Sequence, residues 1–490
     1  MALAMAGAAM AVAGVAAAPG VGATARERYV VRVQTFPANR RIVGAERAQG
    51  TPIVRVYRHV FPGFSGLLTR ADRRRIARYP AVVGIARDRP VVLAQAEVRT
   101  TTGTGLWGLD RIDQRSLPLD GRIITPSIGS GARVYVVDSG IRSAQEGFAN
   151  RILPGISLVG DGGGTQDCNG HGTRVAGVIG GQVTGVAPGA LLVPVRVIDC
   201  AGNGNSGDVI AGLDWVVGHH AAGQPAVANL SLVGPINALV NAAILGVTGD
   251  GITVTTAAGN QAQDACAASP ASAPSAITVA AMTQNDAQAP FSGFGPCVSL
   301  FAPGDSVLTT ATTGTRRTGN QLVFAGGTSI SSAFAAGAAA VELSQFPFLS
   351  AAQVKDHLIA SATAGALTGV TPGTPNRLLY VGTNSPPPVL APPPVIPASR
   401  VMSGLRAQFR VLRPARPRVG RYRLTGSTRL AGAFTVTRAG RLLVRRRVSA
   451  GTFAVGTRAA WRIGVLRFQL IPDDPTLPEA SAMVRVRATR

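Results

Sequence analysis

Between Arg133 and about Tyr380 the chain alternates two kinds of apolar segment. RVYVVDSGI, ALLVPVRVID, AVANLSLVG, ITVTTAAGN and AITVAAMT are continuous β-branched runs of strand length. GTRVAGVIGG, SGDVIAGLDWVVGHHAAG, INALVNAAILGVTGDG and AFAAGAAAVELSQF are longer, rich in Ala and Gly, and read as helices. Strands apolar on both faces and separated by helices predict an α/β fold, a parallel sheet covered on both sides. Ahead of it, Arg28–Pro37 alternates like a strand, Thr69-Arg-Ala-Asp72 opens an Arg-rich helix with a capping-box pattern, and Ala81–Leu93 reads as one or two strands. That is the outline of a small α+β module over residues 26–93. Behind it, Ser385–Pro397 (SPPPVLAPPPVIP) is a semi-rigid polyproline linker. Short alternating segments such as YRLTGSTR and WRIGVLRFQLI then predict a small all-β domain over 398–490.

Composition changes this picture in three ways. The first 25 residues are small and apolar and end in Ala23-Thr24-Ala25, which reads as a signal peptide and predicts a secreted, cell-surface or periplasmic protein. Ala and Gly dominate that run, and no later segment offers the apolar length of a bilayer span. Four cysteines, an even number in an exported chain with no C-x-x-C, favour disulfides over metal ligation. The formal charge of +24 invites a partner with an acidic surface, but 20 arginines against three acidic residues fall within 398–490. The strands there place Arg at alternate positions, as a solvated face would, and Trp461 stands without aromatic neighbours for base stacking.

Three strand or helix ends each carry a polar residue in a glycine-bearing turn. Asp138 ends RVYVVD, His171 lies in CNGHGTRVAG at a helix start, and Ser329 lies in GGTSISSAFAAG, also at a helix start. Alone, an Asp-Ser-Gly is usually a turn and a His at a helix start usually structural. Together they supply a nucleophile, a base and a carboxylate to hold that base, in the chain order Asp, His, Ser.

With these motifs in that order, residues 107–380 resemble the subtilisin-family serine proteases, nearest the proteinase K-like group. VYVVDSGI, NGHGTRVAG, GTSISSAFAAG and TGVAPGALLVPVRVIDCAGNGNSGDVIAGLDWV carry the resemblance. It implies an Asp138–His171–Ser329 triad, with Asn260 as the side-chain donor to an oxyanion. It also implies Cys168–Cys200 and Cys266–Cys297 disulfides. Ser231, Leu232, Val233 and Gly234 match the strand that pairs with a peptide substrate, Gly202-Asn203-Gly204 the opposite strand, and Ala257, Ala258 and Gly259 the wall of the S1 pocket. Gly63–Val92 resembles the family's inhibitory, ferredoxin-like propeptide, so cleavage is expected within Leu93–Thr104.

Several positions depart from the family pattern. Val233 replaces a glycine at the S1 mouth, which would narrow the pocket toward small side chains or obstruct it. Ser206 would leave S4 open. Arg174 replaces a second histidine, and Ala333-Phe334 replace Pro-His after the nucleophile. Ser299 stands where a calcium-ligating Asp is usual, leaving that site weakened or absent.

The expected organisation is a signal peptide (1–25), an inhibitory propeptide (26–103), a catalytic domain (104–383), a linker (384–397) and an Arg-rich β domain (398–490). The expected function is a secreted, monomeric, self-processing serine endopeptidase of broad specificity that requires no cofactor for catalysis. Its partners are protein or peptide substrates and its own propeptide. The alternative is an impaired subtilisin fold that binds acidic surfaces through its C-terminal domain, with Val233 closing the cleft.

Overall fold

A computed structural model describes residues 25–94, 106–311 and 322–382, together with seven strands between 402 and 489. The expected signal segment, nearly all of the expected cleavage window and the Pro-rich linker lie outside the described residues. The chain divides into two units, Met1–Pro388 and Val389–Arg490.

The first unit opens with β1 (Glu27–Val33), α1 (Phe36–Ala48), β2 (Ile53–Tyr57), β3 (Gly63–Leu68), α2 (Arg70–Ile76) and β4 (Val82–Arg87). The antiparallel sheet order β2-β3-β1-β4 is that of a ferredoxin-like module. Thr69 and Asp72 make the capping box at the head of α2. The strand expected to run through Phe36 instead stops at Val33. Thr35 there accepts a hydrogen bond from the Ala38 N–H, and Pro37 sits in the first turn, so the chain turns into α1. β5 (Pro90–Leu93) leaves this module for a different sheet.

After α3 (Trp107–Ile112) come β6 (Arg133–Asp138), β7 (Ile156–Ser157), α4 (His171–Gly180), β8 (Leu191–Arg196), β9 (Asn203–Asn205), α5 (Ser206–His219), β10 (Ala226–Leu230), β11 (Leu232–Pro235) and α6 (Ala238–Gly249). The unit continues with β12 (Thr253–Ala257), β13 (Ala268–Ser269), β14 (Ile277–Met282), β15 (Leu300–Pro303), β16 (Val307–Thr310) and β17 (Leu322–Ala325). It closes with α7 (Thr328–Gln345), α8 (Ala351–Ser361), β18 (Thr363–Ala364) and β19 (Arg377–Leu378).

The main sheet runs β18-β19-β15-β14-β12-β10-β6-β8-β7 and is parallel except at β18. The two-residue period of a strand sends neighbours to opposite faces. Val134 and Val136 accordingly join α4 and α7 in one core, while Tyr135 and Val137 join α5 and α6 in the other. The small-residue run of α7 is part of that packing, because a Cβ on Gly337 would come within 2.6 Å of the Val186 Cβ. The expected single strand AVANLSLVG divides at Ser231: β10 stays in the main sheet, and β11 enters a second sheet, β13-β11-β5-β9.

In the second unit, seven strands between Met402 and Thr489 form one sheet, mostly antiparallel with a single parallel pair.

Phe334 on α7 is among the largest fully buried side chains. Phe334→Ala should cost about 3–5 kcal/mol, lowering the thermal midpoint of the first unit by on the order of 10 °C in calorimetry. An unchanged midpoint would contradict this account of the core.

Candidate active site

The C-terminal end of β6 and the N-terminus of α4 bring Asp138 and His171 together. His171 Nδ1 lies 2.9 Å from Asp138 Oδ1 and 3.0 Å from Oδ2, both side chains buried. Asp138 Oδ1 also accepts from the Ser139 N–H at 2.7 Å. A carboxylate on Nδ1 fixes the ring and leaves Nε2 as the free nitrogen. His171 Nε2 is buried and has no hydrogen-bond partner among the described residues.

Asp167 assembles this corner and was not singled out in the sequence. Its Oδ1 accepts from Ser139 Oγ (2.9 Å) and from the Asn169 and Gly170 N–H groups (3.0 and 2.7 Å). Its Oδ2 accepts from the Thr173 N–H and hydroxyl (2.8 and 2.6 Å). Ser139 Oγ in turn accepts from the Gly172 N–H, so one buried carboxylate joins the Asp138 turn to the first turn of α4. The legible signal was an Asp shortly before a helix start. Cys168–Cys200 forms next to it in the chain, and Cys266–Cys297 forms as well.

Ser329 is buried in the first turn of α7. Its hydroxyl and its N–H both donate to the Ala94 carbonyl, the N–H at 3.3 Å. The hydroxyl is engaged by the Ala94 carbonyl and makes no hydrogen bond with His171, whose Nε2 has no partner among the described residues. Asn260 has its orientation set by Thr328: Asn260 Oδ1 accepts from the Thr328 N–H (2.9 Å) and hydroxyl (2.8 Å). An amide N–H cannot accept, so the oxygen must face Thr328 and the nitrogen must face away. Asn260 Nδ2 is consequently a buried donor with no partner among the described residues. Thr328 Oγ1 also accepts from the Gly259 N–H at 3.0 Å.

Between β9 and β11 lies β5, antiparallel to both. Val91 and Val92 pair with Gly204 and Asn203 on one side, and Val92 and Leu93 with Val233 and Leu232 on the other. The Ala94 N–H continues the ladder to the Ser231 carbonyl at 3.1 Å. The Ala94 methyl is buried with Val233 and Ala257, and Ala268 packs against the group. Val233, expected to narrow or obstruct the S1 mouth, is thus one of the side chains packed around that methyl. Leu93 Cδ1 lies beside Gly202, Val91 is buried against Gly204 and Gly234, and Val92 faces outward. Ser206, expected to leave a pocket open, is buried and bonded: its hydroxyl donates to Asp88 and accepts from the Arg89 N–H. The Ala258 N–H donates to the Val279 carbonyl at 3.0 Å, continuing the main-sheet ladder past the end of β12.

Residues 129–379 match the Subtilase family, and residues 29–94 match the peptidase inhibitor I9 family. The chain belongs to the subtilase family. It is 41% identical over 332 residues to an extracellular serine proteinase of Thermus sp. (strain Rt41A), covering 68% of this chain and 78% of that protein. It is 38% identical over 335 residues to alkaline serine exoprotease A of Vibrio alginolyticus, covering 67% of this chain and 60% of that one. A crystal structure of a cold adapted subtilisin-like serine proteinase aligns with a TM-score of 0.54 at 39% identity, over 58% of this chain and all of the other. This subtilase is accordingly a serine-type endopeptidase with an inhibitor domain at its N-terminal side.

Two departures from the family pattern acquire surroundings. Arg174 Nε donates to the Gly170 carbonyl at 3.0 Å. Burial lowers its pKa from the ordinary arginine value, and the Asp167 and Asp138 charges oppose that. Phe334 is core.

Thr328 was missed because a threonine beside a serine in a small-residue helix carries no mark of its own. Thr328→Val keeps the shape and the backbone N–H bond to Asn260 but removes the hydroxyl's bond to Asn260 Oδ1 and the one it accepts from the Gly259 N–H. The expected result is a kcat about tenfold lower at similar KM, since one such bond is worth about 1 kcal/mol. Full activity in steady-state peptide hydrolysis would rule out this orienting role.

Proposed function

We propose that the chain is a zymogen that cuts itself after Ala94 and then works as an endopeptidase with a small S1 pocket. The observation carrying this reading is the Ala94 carbonyl, held against the Ser329 hydroxyl and N–H while Ala94 N–H bonds Ser231. In sequence terms Ala94 occupies P1, Leu93 P2, Val92 P3 and Val91 P4. Ser329 Oγ attacks the carbonyl carbon as His171 Nε2 removes its proton, with Asp138 holding Nδ1. The developing oxyanion is met by the Ser329 N–H and by the unpartnered Asn260 Nδ2. His171 returns the proton to the departing amine, and water then hydrolyses the acyl-enzyme by the reverse sequence of roles.

Main-chain pairing with β9 and β11 supports broad sequence tolerance, while Val233 against the Ala94 methyl supports a preference for small P1 residues. The cut propeptide would remain in the cleft as an inhibitor until degraded. Asp88 supports that retention: its carboxylate accepts from the Gly207 N–H (2.7 Å) and the Ser206 hydroxyl at the head of α5. Asp214 does the converse, accepting from the Arg58, His59 and Val60 N–H groups of the inhibitor domain. Export is supported by the extracellular relative and by the apolar N-terminal segment. Binding to acidic surfaces has only the charge of the C-terminal segment in its favour.

Mass analysis of the expressed chain should find the mature enzyme beginning at Gln95, and Ser329→Ala should keep residues 26–94 attached. A Ser329→Ala variant that is still cut at that bond would refute self-processing. Asn260→Ala should lower kcat by about 10²–10³-fold with KM little changed. Val233→Gly should shift P1 preference from Ala toward Leu or Phe in a peptide-substrate panel, and an unchanged ranking would remove Val233 from the specificity account.

A further inference from the structure

One lysine occurs among 48 basic residues, and it is Lys355 on α8. Its ammonium donates to the carbonyls of Pro274 and Ala276, 2.7 Å each. Both belong to the turn joining β13 to β14. Beside them opens a cavity of about 340 Å³, whose lining includes Lys355, Ser299, Ser272 and Arg377.

The family resemblance implied a structural calcium site with Ser299 in place of its carboxylate. The residues here do not fit a calcium ion. Calcium takes six to eight oxygens, with carboxylates supplying the charge. Among the described residues no Asp or Glu lines this cavity, and Arg377 adds a second positive group. Ser299 is buried, and its hydroxyl already accepts from the Thr278 N–H at 3.2 Å. The two carbonyls that converge on the site hold an ammonium. Burial draws the Lys355 pKa down from its ordinary value, with the neighbouring Asp356 carboxylate pulling the other way. Two carbonyl acceptors are the lone pairs that offset the burial of such a group.

We propose that Lys355 is a tethered cation: its ammonium does at this place what a bound metal ion would do, fixing the turn behind the S1 pocket. The link to the pocket is short. Ser269 in β13 pairs with Gly234, Ala268 packs against the Ala94–Val233–Ala257 group, and Thr278 Oγ1 donates to the Ala271 carbonyl at 2.7 Å. The turn that Lys355 grips is the continuation of this segment. Lysine suits the task where arginine does not, because an ammonium is a compact point charge with three freely directed donors, and a guanidinium is a planar fork. In a chain that otherwise uses arginine throughout, that geometric demand accounts for the exception. The assignment of S1 rests on the proposed function; the cation role does not.

The test compares full-length Lys355→Met, Lys355→Arg and the double variant Ser299→Asp/Lys355→Ala with the parent chain, each in calcium chloride and in EDTA. Lys355→Met should lower the thermal midpoint by about 5–10 °C in both media. It should also raise KM for an Ala-P1 peptide about three- to tenfold while kcat stays within about twofold. The double variant should recover midpoint and KM in calcium and lose both in EDTA, a rescue by a free cation that a merely space-filling lysine could not give. Lys355→Arg, the variant read if Lys355→Met fails to fold, should keep the raised KM. A parental midpoint in Lys355→Met overturns the proposal. So does a double variant whose calcium-dependent gain is no larger than the parent's, or a Lys355→Arg variant with parental KM and midpoint. The midpoints need no hydrolysis, so their outcome stands apart from that of the self-cleavage experiment.

Discussion

Two short strands with hydrogen-bonding capacity to spare, β9 and β11, govern the architecture of the cleft. Each is only a few residues long, and each presents main-chain groups to the gap between them. An extended peptide is the one structure that satisfies both edges at once, and β5 does so here. The direction of that peptide then fixes everything around it. With β5 antiparallel to both neighbours, its next residue, Ala94, arrives at the head of α7, and its methyl faces Val233 and Ala257. The docking of the inhibitor domain and the position of Ala94 before α7 are therefore one constraint. The charged contacts, Arg28 and Arg55 with Asp208 and the two helix-α5 carboxylate clamps, reinforce the docking from outside the cleft.

The chemistry at the end of that strand is held by buried polar groups whose partners are nearly all main-chain or short hydroxyl side chains. Asp167 joins the Asp138 and His171 turns, and Thr328 orients Asn260. Asn229 ties the Ser231 and Ser332 hydroxyls together. Ser231 Oγ donates to the Ser329 carbonyl and so reaches the same turn of α7. Such networks are worth having in a dry interior only when satisfied throughout. Against that background His171 Nε2 and Asn260 Nδ2 stand out as buried groups with no partner among the described residues.

Part of the positive charge in the first unit is used internally. Arg111 is fully buried, bidentate to Asp286 at 2.7 and 3.0 Å. Arg196 is equally buried and grips Asp161 beside the Cys168–Cys200 bridge. Guanidinium forks serve where a planar carboxylate is the partner. At the turn joining β13 to β14 the partners are two separate carbonyls, and there the chain turns to its lysine.

The alternation of apolar strands and Ala/Gly helices was enough to determine a parallel sheet covered on both faces, because burial on two sides leaves a continuous apolar run that no other environment requires. The three glycine-bearing turns were enough to nominate Asp138, His171 and Ser329, since each pairs a rare side chain with a local backbone demand. The break of AVANLSLVG at Ser231 was not legible, because periodicity does not reveal that one apolar run serves two sheets. Nor were the bonds of Asp167 to Ser139 and of Thr328 to Asn260, whose partners lie 28 and 68 residues away in the chain. What Val233 would pack against was likewise open until the sheets set it beside Ala94 and Ala257. Lys355 shows the division most plainly: its solitude is written in the sequence, while its task depends on two carbonyls about eighty residues earlier. Local pattern records what a segment needs for itself, and only the packed chain supplies the distances between segments that decide what its side chains can do.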